Sequence, residues 1–343
     1  MTLSSQHWLR QPSVWVGLII SLVSIVALVS QIDIADLLDK LRQADVGAVL
    51  AGLTVFSLSP FIRGVRWRAI LGWQVGVWKA FHADNIGYLL NAVLPLRAGE
   101  PGRAYVISRL QPGLSPLEAL STVVVTRLVD MIAVIVLLGL VLPALDVPDL
   151  VKAGSYSLLL MVAVAVAVLI VGAYARARLL ALLSAVLGRV LPAALAVRLV
   201  AWADDFLRGL SVLRSPRRLL WLGMTTAALW LCYLAFYHLV LTAFWPAPPL
   251  AWTVLGACAA SLSMVVPSSP ANVGVFHAAV AFALTPYLTA DRAVAYAIVA
   301  HAAELLMTVL FGVYGLAATG TSLLRVNAAA AELSRPALVE QPE

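Results

Sequence analysis

Residues 91–103 combine groups that bind anions with residues that interrupt a helix. Two prolines and two glycines stand among arginine and glutamate side chains, in a chain that is otherwise strongly apolar. An interrupted helix exposes backbone N–H groups, and arginine adds forked donors that suit phosphate. In a membrane protein such a break is tolerated where protein shields it or where it lines a wet cavity. We therefore expect a substrate site here, with Glu100 paired to Arg97 or Arg103 when the site is empty. The predicted binding residues are Asn91, Arg97, Glu100 and Arg103, and the predicted breaks are Pro95, Gly99 and Pro101.

A second interrupted region runs from Pro267 to Gly274. Segments 91–95 and 263–267 share a pattern of one polar residue, one small or flexible residue, two aliphatic residues and a proline. Paired broken helices with weak internal similarity are typical of a transporter site near the middle of the membrane. Kinks in purely structural helices produce the same pattern, so that alternative stays open. The predicted binding residues here are Ser269 and Asn272, and the predicted breaks are Pro267, Pro270 and Gly274.

Titratable side chains also occur inside the apolar segments. Residues three apart share a helix face, so Arg127 lies beside Asp130 and His301 lies beside Glu304. His277 lies one turn into the helix after the second break. Charges inside a membrane are costly and mark function by default, and we predict that all five residues bind the substrate, the histidines and Glu304 as a protonatable cluster. The alternatives are a structural ion pair for Arg127 and Asp130 and hydrogen-bonded packing roles for the histidines.

Composition indicates an all-α, polytopic membrane protein. Apolar residues make up 62% of the chain and charged residues 12%, and the mean hydropathy is +0.96. A soluble domain carries roughly a quarter charged residues. The net charge of +6 does not indicate nucleic-acid binding, because the arginines cluster in particular loops. Cys232 and Cys258 fit neither a metal site nor a disulfide framework, and we expect no metal, no cofactor and no nucleotide-binding motif.

Six apolar runs are long enough to span a bilayer, and the second is short. These runs are 14–32, 46–62, 119–142, 156–174, 219–244 and 292–317. The motif at 63–68, with three arginines and Trp67, is interpreted as an anchor at the membrane interface. Two interrupted regions, 80–114 and 251–288, are predicted as broken helical hairpins that either cross the membrane or dip into it and return.

Arginine-rich segments predict the orientation. Segments 63–118 and 175–218 carry most of the basic residues, so the positive-inside rule places them and both termini in the cytoplasm, with the chain in the plasma (inner) membrane. Residues 176–214 are predicted to form one or two amphipathic helices with Pro192 near the middle, which either lie on the inner leaflet or pack on the bundle. The membrane domain is predicted at 14–320, between a cytoplasmic N-terminus at 1–13 and a disordered tail at 321–343.

These motifs occur in an order that resembles a known family, the membrane region of lysylphosphatidylglycerol synthase/flippase proteins. The resemblance rests on Arg66-Trp67-Arg68, on the string from Leu94 to Glu100, on Arg127 with Asp130, and on the segment 267–276. It implies a role in moving anionic, polyprenyl-linked or hopanoid-type lipids between leaflets, without a soluble synthase domain in this chain. The chain departs from the family pattern at Thr126, Asn272, His277, His301 and Glu304, which changes the charge of the expected cavity.

The leading hypothesis is a lipid flippase or transporter, not an enzyme, whose partners are the bilayer and a lipid with a phosphate-bearing or polar headgroup. One alternative is a multi-pass glycosyl or phosphoryl transferase acting on a polyprenyl lipid. Such an enzyme needs paired carboxylates, and the aspartates at 33, 36 and 39 read better as the polar face of a turn. The other alternative is a scaffold for a lipid-modifying partner.

Overall fold

The computed structural model describes residues 12–72, 75–94, 98–145, 149–266, 268–323 and 325–326. That part of the chain is helical and contains no β-strand. Its α-helices are α1 (Pro12–Val29), α2 (Ile34–Gln43), α3 (Val46–Phe56), α4 (Ser59–Ile70), α5 (Val77–Val93), α6 (Gly99–Leu110), α7 (Pro116–Val141), α8 (Asp149–Tyr174), α9 (Arg176–Val190), α10 (Ala193–Gly209), α11 (Pro216–Thr242), α12 (Leu250–Ser263), α13 (Val275–Leu284) and α14 (Ala290–Thr319). Short 3₁₀ turns cover Leu142–Ala144, Leu210–Arg214 and Pro270–Asn272. The predicted segments 1–13 and 321–343 lie largely outside the described residues.

Four of the six predicted spans are present as segments that can cross a membrane, the other two fall on bent helix pairs, and the protein is an integral membrane protein. Among the described residues, α7, α11, α14 and the combined α3–α4 segment are each long and apolar enough to cross a membrane. Two helix pairs are bent, α1–α2 by 89° and α8–α9 by 90°. Counting each bent pair as one span gives two further spans. Each of the six apolar runs in the sequence therefore falls on a helix.

The prediction that the second span ends near residue 62 was wrong. Helix α4 continues to Ile70, and the combined segment is 25 residues long. Arg63, Arg66 and Trp67 are buried inside the protein, so the predicted interface anchor was also wrong. The physical reason is that carboxylates on neighbouring helices pair with these arginines, which lets charged residues lie inside a span.

Both interrupted regions form helical hairpins. Helices α5 and α6 pack against each other across the first break, and α12 and α13 pack against each other across the second. With a rise of about 1.5 Å per residue, these helices of 10–17 residues measure about 15–25 Å. A hydrocarbon core is about 30 Å thick, so these lengths fit hairpins that enter the membrane and return. The internal repeat that would relate the two hairpins stays a prediction.

The two hairpins meet inside the bundle. The 3₁₀ turn Pro270–Asn272 packs against α5, and α14 packs against both α5 and α13. Two apolar cores support this contact. One is built around Phe236, Phe276 and Tyr296, and the other around Trp67 and Ile86.

The amphipathic stretch forms two helices separated at Pro192, which is one of the two predicted arrangements. Helix α10 packs on α7 and on the Leu210–Arg214 turn, whereas α9 has no buried residue among its described positions. Of the two predicted alternatives, packing on the bundle applies to α10. Helix α9 is exposed and remains available for the membrane surface.

Candidate functional site

Arg63 and Arg66 lie three residues apart on α4 and point into the protein. Arg63 Nε donates to Asp84 Oδ2 over 2.8 Å, and Arg63 Nη2 donates to Asn85 Oδ1 over 3.0 Å. The Arg63 guanidinium also lies 4.0 Å from the centroid of the Tyr88 ring. Because all three partners belong to α5, these contacts join α4 to the first hairpin.

Asp84 has a second arginine partner. Arg103 on α6 places Nη1 2.5 Å from Asp84 Oδ1, and its guanidinium lies 5.3 Å from the centroid of the Trp67 ring. The side chains of Arg63, Asp84 and Arg103 are at most 7% exposed. Loss of the shared carboxylate would remove the ion-pair partner of the buried Arg63 and one of the ion-pair partners of the buried Arg103, so Asp84 stabilises the junction of α4, α5 and α6.

Arg66 pairs with Asp130 of α7 in the forked geometry that arginine and carboxylate prefer. Arg66 Nη1 lies 2.5 Å from Asp130 Oδ1, and Nη2 lies 3.2 Å from Oδ2. Nearby, Trp67 Nε1 donates to Thr122 Oγ1 over 2.8 Å. Helix α4 is thus tied to α7 as well as to α5.

Glu100, at the start of α6, links Arg103 to a further arginine, Arg127 of α7. Arg103 Nη2 lies 2.8 Å from Glu100 Oε2, which confirms one of the two predicted pairings. Arg127 Nε donates to Glu100 Oε1 over 3.0 Å, and Arg127 Nη2 contacts the same oxygen. Arg127 also faces the Tyr88 ring.

These ion pairs form two series that come together on α7, where Arg127 belongs to one and Asp130 to the other, and both series are called here the charge network. Its members are Arg63, Arg66, Asp84, Glu100, Arg103, Arg127 and Asp130. The Arg127 side chain is 36% exposed, and those of Glu100 and Asp130 are each 18% exposed, whereas the others are nearly inaccessible. The accessible end of the charge network is therefore the Arg127–Glu100 pair.

The polar groups of the first break are used to close it. Asn91 Oδ1 accepts a hydrogen bond from Gly99 N over 2.8 Å, so this predicted binding residue caps the start of α6. A Cβ at Gly99 would overlap the carbonyl oxygen of Gly87, which shows how closely α5 and α6 approach. Pro101 was predicted as a break but lies within the first turn of α6, where its missing N–H has no helical partner to lose. Pro95 and Arg97 lie outside the described residues, as does Pro267 in the second break.

The second break is held by its own side chains. Asn272 Nδ2 donates to Ser263 Oγ over 2.8 Å, and Ser268 donates to Asn272 Oδ1. Ser269 Oγ donates to Val273 O over 3.0 Å, while Ser269 N donates to Ser21 Oγ of α1 over 2.9 Å. The predicted ligands Ser269 and Asn272 therefore shape the turn that begins at Pro270.

The backbone of this turn is left-handed at three positions. Ala271, Asn272 and Gly274 have φ values of 56°, 59° and 87°. Only glycine adopts such angles without a steric cost, which is about 1–2 kcal/mol for most other residues. A Cβ at Gly274 would also lie 2.6 Å from Ser21 O, so glycine is required there on both grounds.

His277 and His301 are brought together as predicted. His301 Nδ1 lies 3.3 Å from His277 Nε2, and Gly274 N donates to His277 Nδ1 over 3.3 Å. Since His277 Nδ1 accepts, its Nε2 carries the proton and donates to His301 Nδ1. Phe276 stacks on the His301 ring with centroids 4.4 Å apart.

Glu304 separates from the predicted histidine cluster. Its Oε1 accepts a hydrogen bond from the Tyr237 hydroxyl of α11. Tyr233, one turn earlier on α11, hydrogen-bonds to Arg63, and Glu304 also lies within electrostatic range of Arg63. Glu304 therefore extends from α14 toward the buried end of the charge network.

Sequence reasoning missed Arg63, Arg66, Asp84 and the tyrosines of this site. Asp84 and Asn85 are adjacent polar residues inside an otherwise mostly apolar segment. Such polar residues are a signal of function in a membrane protein, and that signal could have identified them. Arg127 and Asp130 share a face as predicted but have partners on different helices, so their pairing is interhelical.

These features define a class of protein, a helical membrane protein in which two interrupted hairpins meet beside an ion-paired charge network. Residues 14–312 match the family described as the lysylphosphatidylglycerol synthase TM region, and the chain belongs to that family. The chain is also similar to Glycosyltransferase AglD of Haloferax volcanii, with 26% identity over 139 residues. That match covers 40% of this chain and 22% of the relative, so the chain spans less than a quarter of that protein.

Proposed function

We propose that the protein moves a lipid with a phosphate-bearing headgroup from one leaflet of the plasma (inner) membrane to the other. The observation that carries this proposal is the charge network, which lies inside a membrane domain and is accessible at Arg127 and Glu100. Membership of a family named for the membrane region of a phospholipid synthase supports a lipid-related role. We also propose that both termini and the arginine-rich segment 175–218 face the cytoplasm, which the positive-inside rule favours.

The energetics of buried ion pairs argue for a functional network. Well-packed apolar residues in place of a buried ion pair are often neutral or stabilising, so such pairs are weak evidence for stability alone. A charge at the centre of a membrane helix costs about 2.5–3.5 kcal/mol on insertion scales. Seven charges gathered on α4, α5, α6 and α7 therefore point to a polar ligand inside the bundle.

The geometry suggests how a headgroup would enter. A phosphate offers oxygens that suit the same guanidinium forks as a carboxylate. It would displace Glu100 from Arg127 first, because that pair is accessible, and would then share Arg103 with Glu100. Exchange of one anion for another keeps the arginines paired at each stage, which keeps the desolvation cost low.

Lipid translocation in proteoliposomes tests this proposal. The purified protein would be reconstituted with a fluorescent phosphatidylglycerol, and the outer-leaflet label would be bleached with and without a proton gradient. Arg127→Gln is expected to lose most of the translocation. Arg109→Gln is the matched control, because Arg109 is an exposed arginine near the end of α6, and it should behave like the unmodified protein. Equal translocation by Arg127→Gln and Arg109→Gln would contradict the proposal.

A second candidate is glycosyl transfer to a polyprenyl lipid, favoured by the similarity to a protein named a glycosyltransferase. It predicts a change in the mass of the lipid, which translocation does not. Mass spectrometry of the proteoliposome lipids, after incubation with sugar nucleotides, separates the two. A scaffold without transport activity predicts neither a mass change nor redistribution of the label.

A further inference from the structure

A surface cavity of about 230 Å³ lies where membrane-spanning helices end, apart from the charge network. Helix α7 begins there, α8 ends there, and the turn Leu210–Arg214 leads from α10 to the start of α11. The cavity therefore lies at one surface of the membrane domain. Its lining consists of Glu118, Ala173, Arg176, Leu207, Arg208, Ser211 and Arg214.

Two of the lining arginines are held in place by one aspartate. Arg176 Nε and Nη2 donate to Asp204 Oδ1 over 2.8 and 2.6 Å. Arg208 Nη1 lies 3.3 Å from Asp204 Oδ2, and Arg208 also pairs with Asp205. These pairs orient the two guanidinium groups on the cavity wall, and each guanidinium retains N–H donors that Asp204 and Asp205 do not use.

Arg214 supplies a guanidinium whose donors are available. It lies 6.0 Å from the centroid of the Tyr174 ring, and among the described residues it makes no hydrogen bond or ion pair. A guanidinium over an aromatic face keeps all its N–H groups for another ligand. Glu118 is the one carboxylate in the lining and lies within electrostatic range of Arg208 and Arg176.

The surroundings of the cavity indicate a lipid as its ligand. Tyr174 is 66% exposed beside it, and the neighbouring helix α9 exposes Leu182, Val186 and Val190. Exposed apolar side chains at the ends of spans face the bilayer in an integral membrane protein. Residues 175–218 contain eight arginines and two aspartates, which favours an anionic headgroup.

We propose that this cavity binds the phosphate of an anionic phospholipid taken from the adjoining leaflet. Arg214, Arg176 and Arg208 surround the phosphate, Ser211 donates a hydroxyl, and Tyr174 lies at the level of the headgroups. The bound lipid holds α9 and α10 against the membrane surface. This site is additional to the transported lipid's site and does not depend on translocation.

Titration with a short-chain phosphatidylglycerol tests the proposal. The purified full-length protein in a neutral detergent would be titrated both unmodified and in the Arg127→Gln background. Arg214→Gln is expected to raise the apparent Kd of this site at least about tenfold in both backgrounds, since a hydrogen bond to a charged group is lost. Arg189→Gln, an exposed arginine on α9 outside the cavity, is the matched control and should leave the Kd unchanged. Arg214→Lys should recover part of the affinity.

The outcomes are distinct. An unchanged Kd in Arg214→Gln, or an equal loss in Arg189→Gln, overturns the site. Competition by inorganic phosphate at the concentrations at which the lipid binds overturns the assignment to a lipid and identifies a free-anion site. Arg214 makes no ion pair in the described structure, so Arg214→Gln is expected to fold, and an unchanged unfolding temperature checks this. The translocation rate of the Arg127→Gln variant tests only the proposed function, because lipid binding at the cavity does not depend on translocation.

Discussion

Arg127 and Asp130 lie three residues apart on α7, yet each is ion-paired to a different helix. Arg127 pairs with Glu100 of α6, and Asp130 pairs with Arg66 of α4. Helix α7 is therefore the point where the two series of ion pairs in the charge network come together. The two positions also differ in their surroundings, because the partner of Arg127 is accessible and the partner of Asp130 is buried.

This difference predicts that the two residues respond differently to neutralisation. Asp130→Asn leaves the buried Arg66 without a counter-charge and is expected to destabilise the protein by about 3–5 kcal/mol. Arg127→Gln leaves a partly exposed Glu100 that still pairs with Arg103, so its unfolding temperature should fall little. The unfolding temperatures of both variants would be measured in detergent, with size-exclusion chromatography as the readout of folded protein. Equal losses of stability would contradict this account.

Removal of Asp84 should be among the most destabilising changes in the charge network. Asp84→Asn removes the charge that Arg63 and Arg103 share, and a loss of about 3–5 kcal/mol or a failure to recover folded protein is expected. Asp39→Asn is a suitable control, because Asp39 is 59% exposed and pairs only with the exposed Arg42 in the described structure. The yield of monodisperse protein and its unfolding temperature are the measurements. A normal yield of Asp84→Asn would show that the buried pairs are unimportant for folding.

Glu100 should act as a competitor of the headgroup. In Glu100→Gln, Arg127 loses its anionic partner, so a phosphate-bearing lipid is expected to bind about tenfold more tightly. Release should slow for the same reason, and translocation in proteoliposomes should decrease. Lipid titration together with the bleaching assay measures both effects. Weaker binding in this variant would assign Glu100 to direct contact with the headgroup.

Asn91 should contribute to stability, although it was predicted to bind substrate. Asn91→Ala removes the acceptor for Gly99 N–H at the start of α6 and should cost about 1 kcal/mol. Asn91→Asp retains an acceptor oxygen and should restore most of that loss. Unfolding temperature and lipid affinity would be measured in parallel. A change in affinity at unchanged stability would return Asn91 to the binding site.

The histidine contact should protect the second break from opening. His277→Ala removes the acceptor for Gly274 N–H and the contact with His301, so backbone amides at 268–277 should exchange hydrogen faster. Phe282→Ala is the control, since Phe282 is half exposed on the same helix. Hydrogen-exchange mass spectrometry of both variants gives the comparison. Unchanged exchange in His277→Ala would show that the side chains of Ser268, Ser269 and Asn272 hold the turn without it.

The sequence determined the membrane class, the positions of the four to six spans apart from the end of the second, and the two breaks. These follow from local rules, because a hydrocarbon layer requires a long apolar run and because a cluster of prolines and glycines disfavours the continuation of a helix. The start of α7 is also specified locally, because Ser115 stands before Pro116 and its hydroxyl accepts a hydrogen bond from Glu118 N over 3.0 Å. The family was also evident from the order of short motifs, and the match over 14–312 confirmed it.

Only the tertiary structure decided which charges meet. Arg66 and Asp130 are 64 residues apart, and Arg127 and Glu100 are 27 apart. No local pattern specifies such pairs, because they depend on how α4 and α6 pack against α5 and α7. For that reason the arginines of residues 63–68 resembled a surface anchor in the sequence but form buried ion pairs in the fold. Hydropathy places a charge at the end of a span, whereas a counter-charge on a neighbouring helix allows it inside.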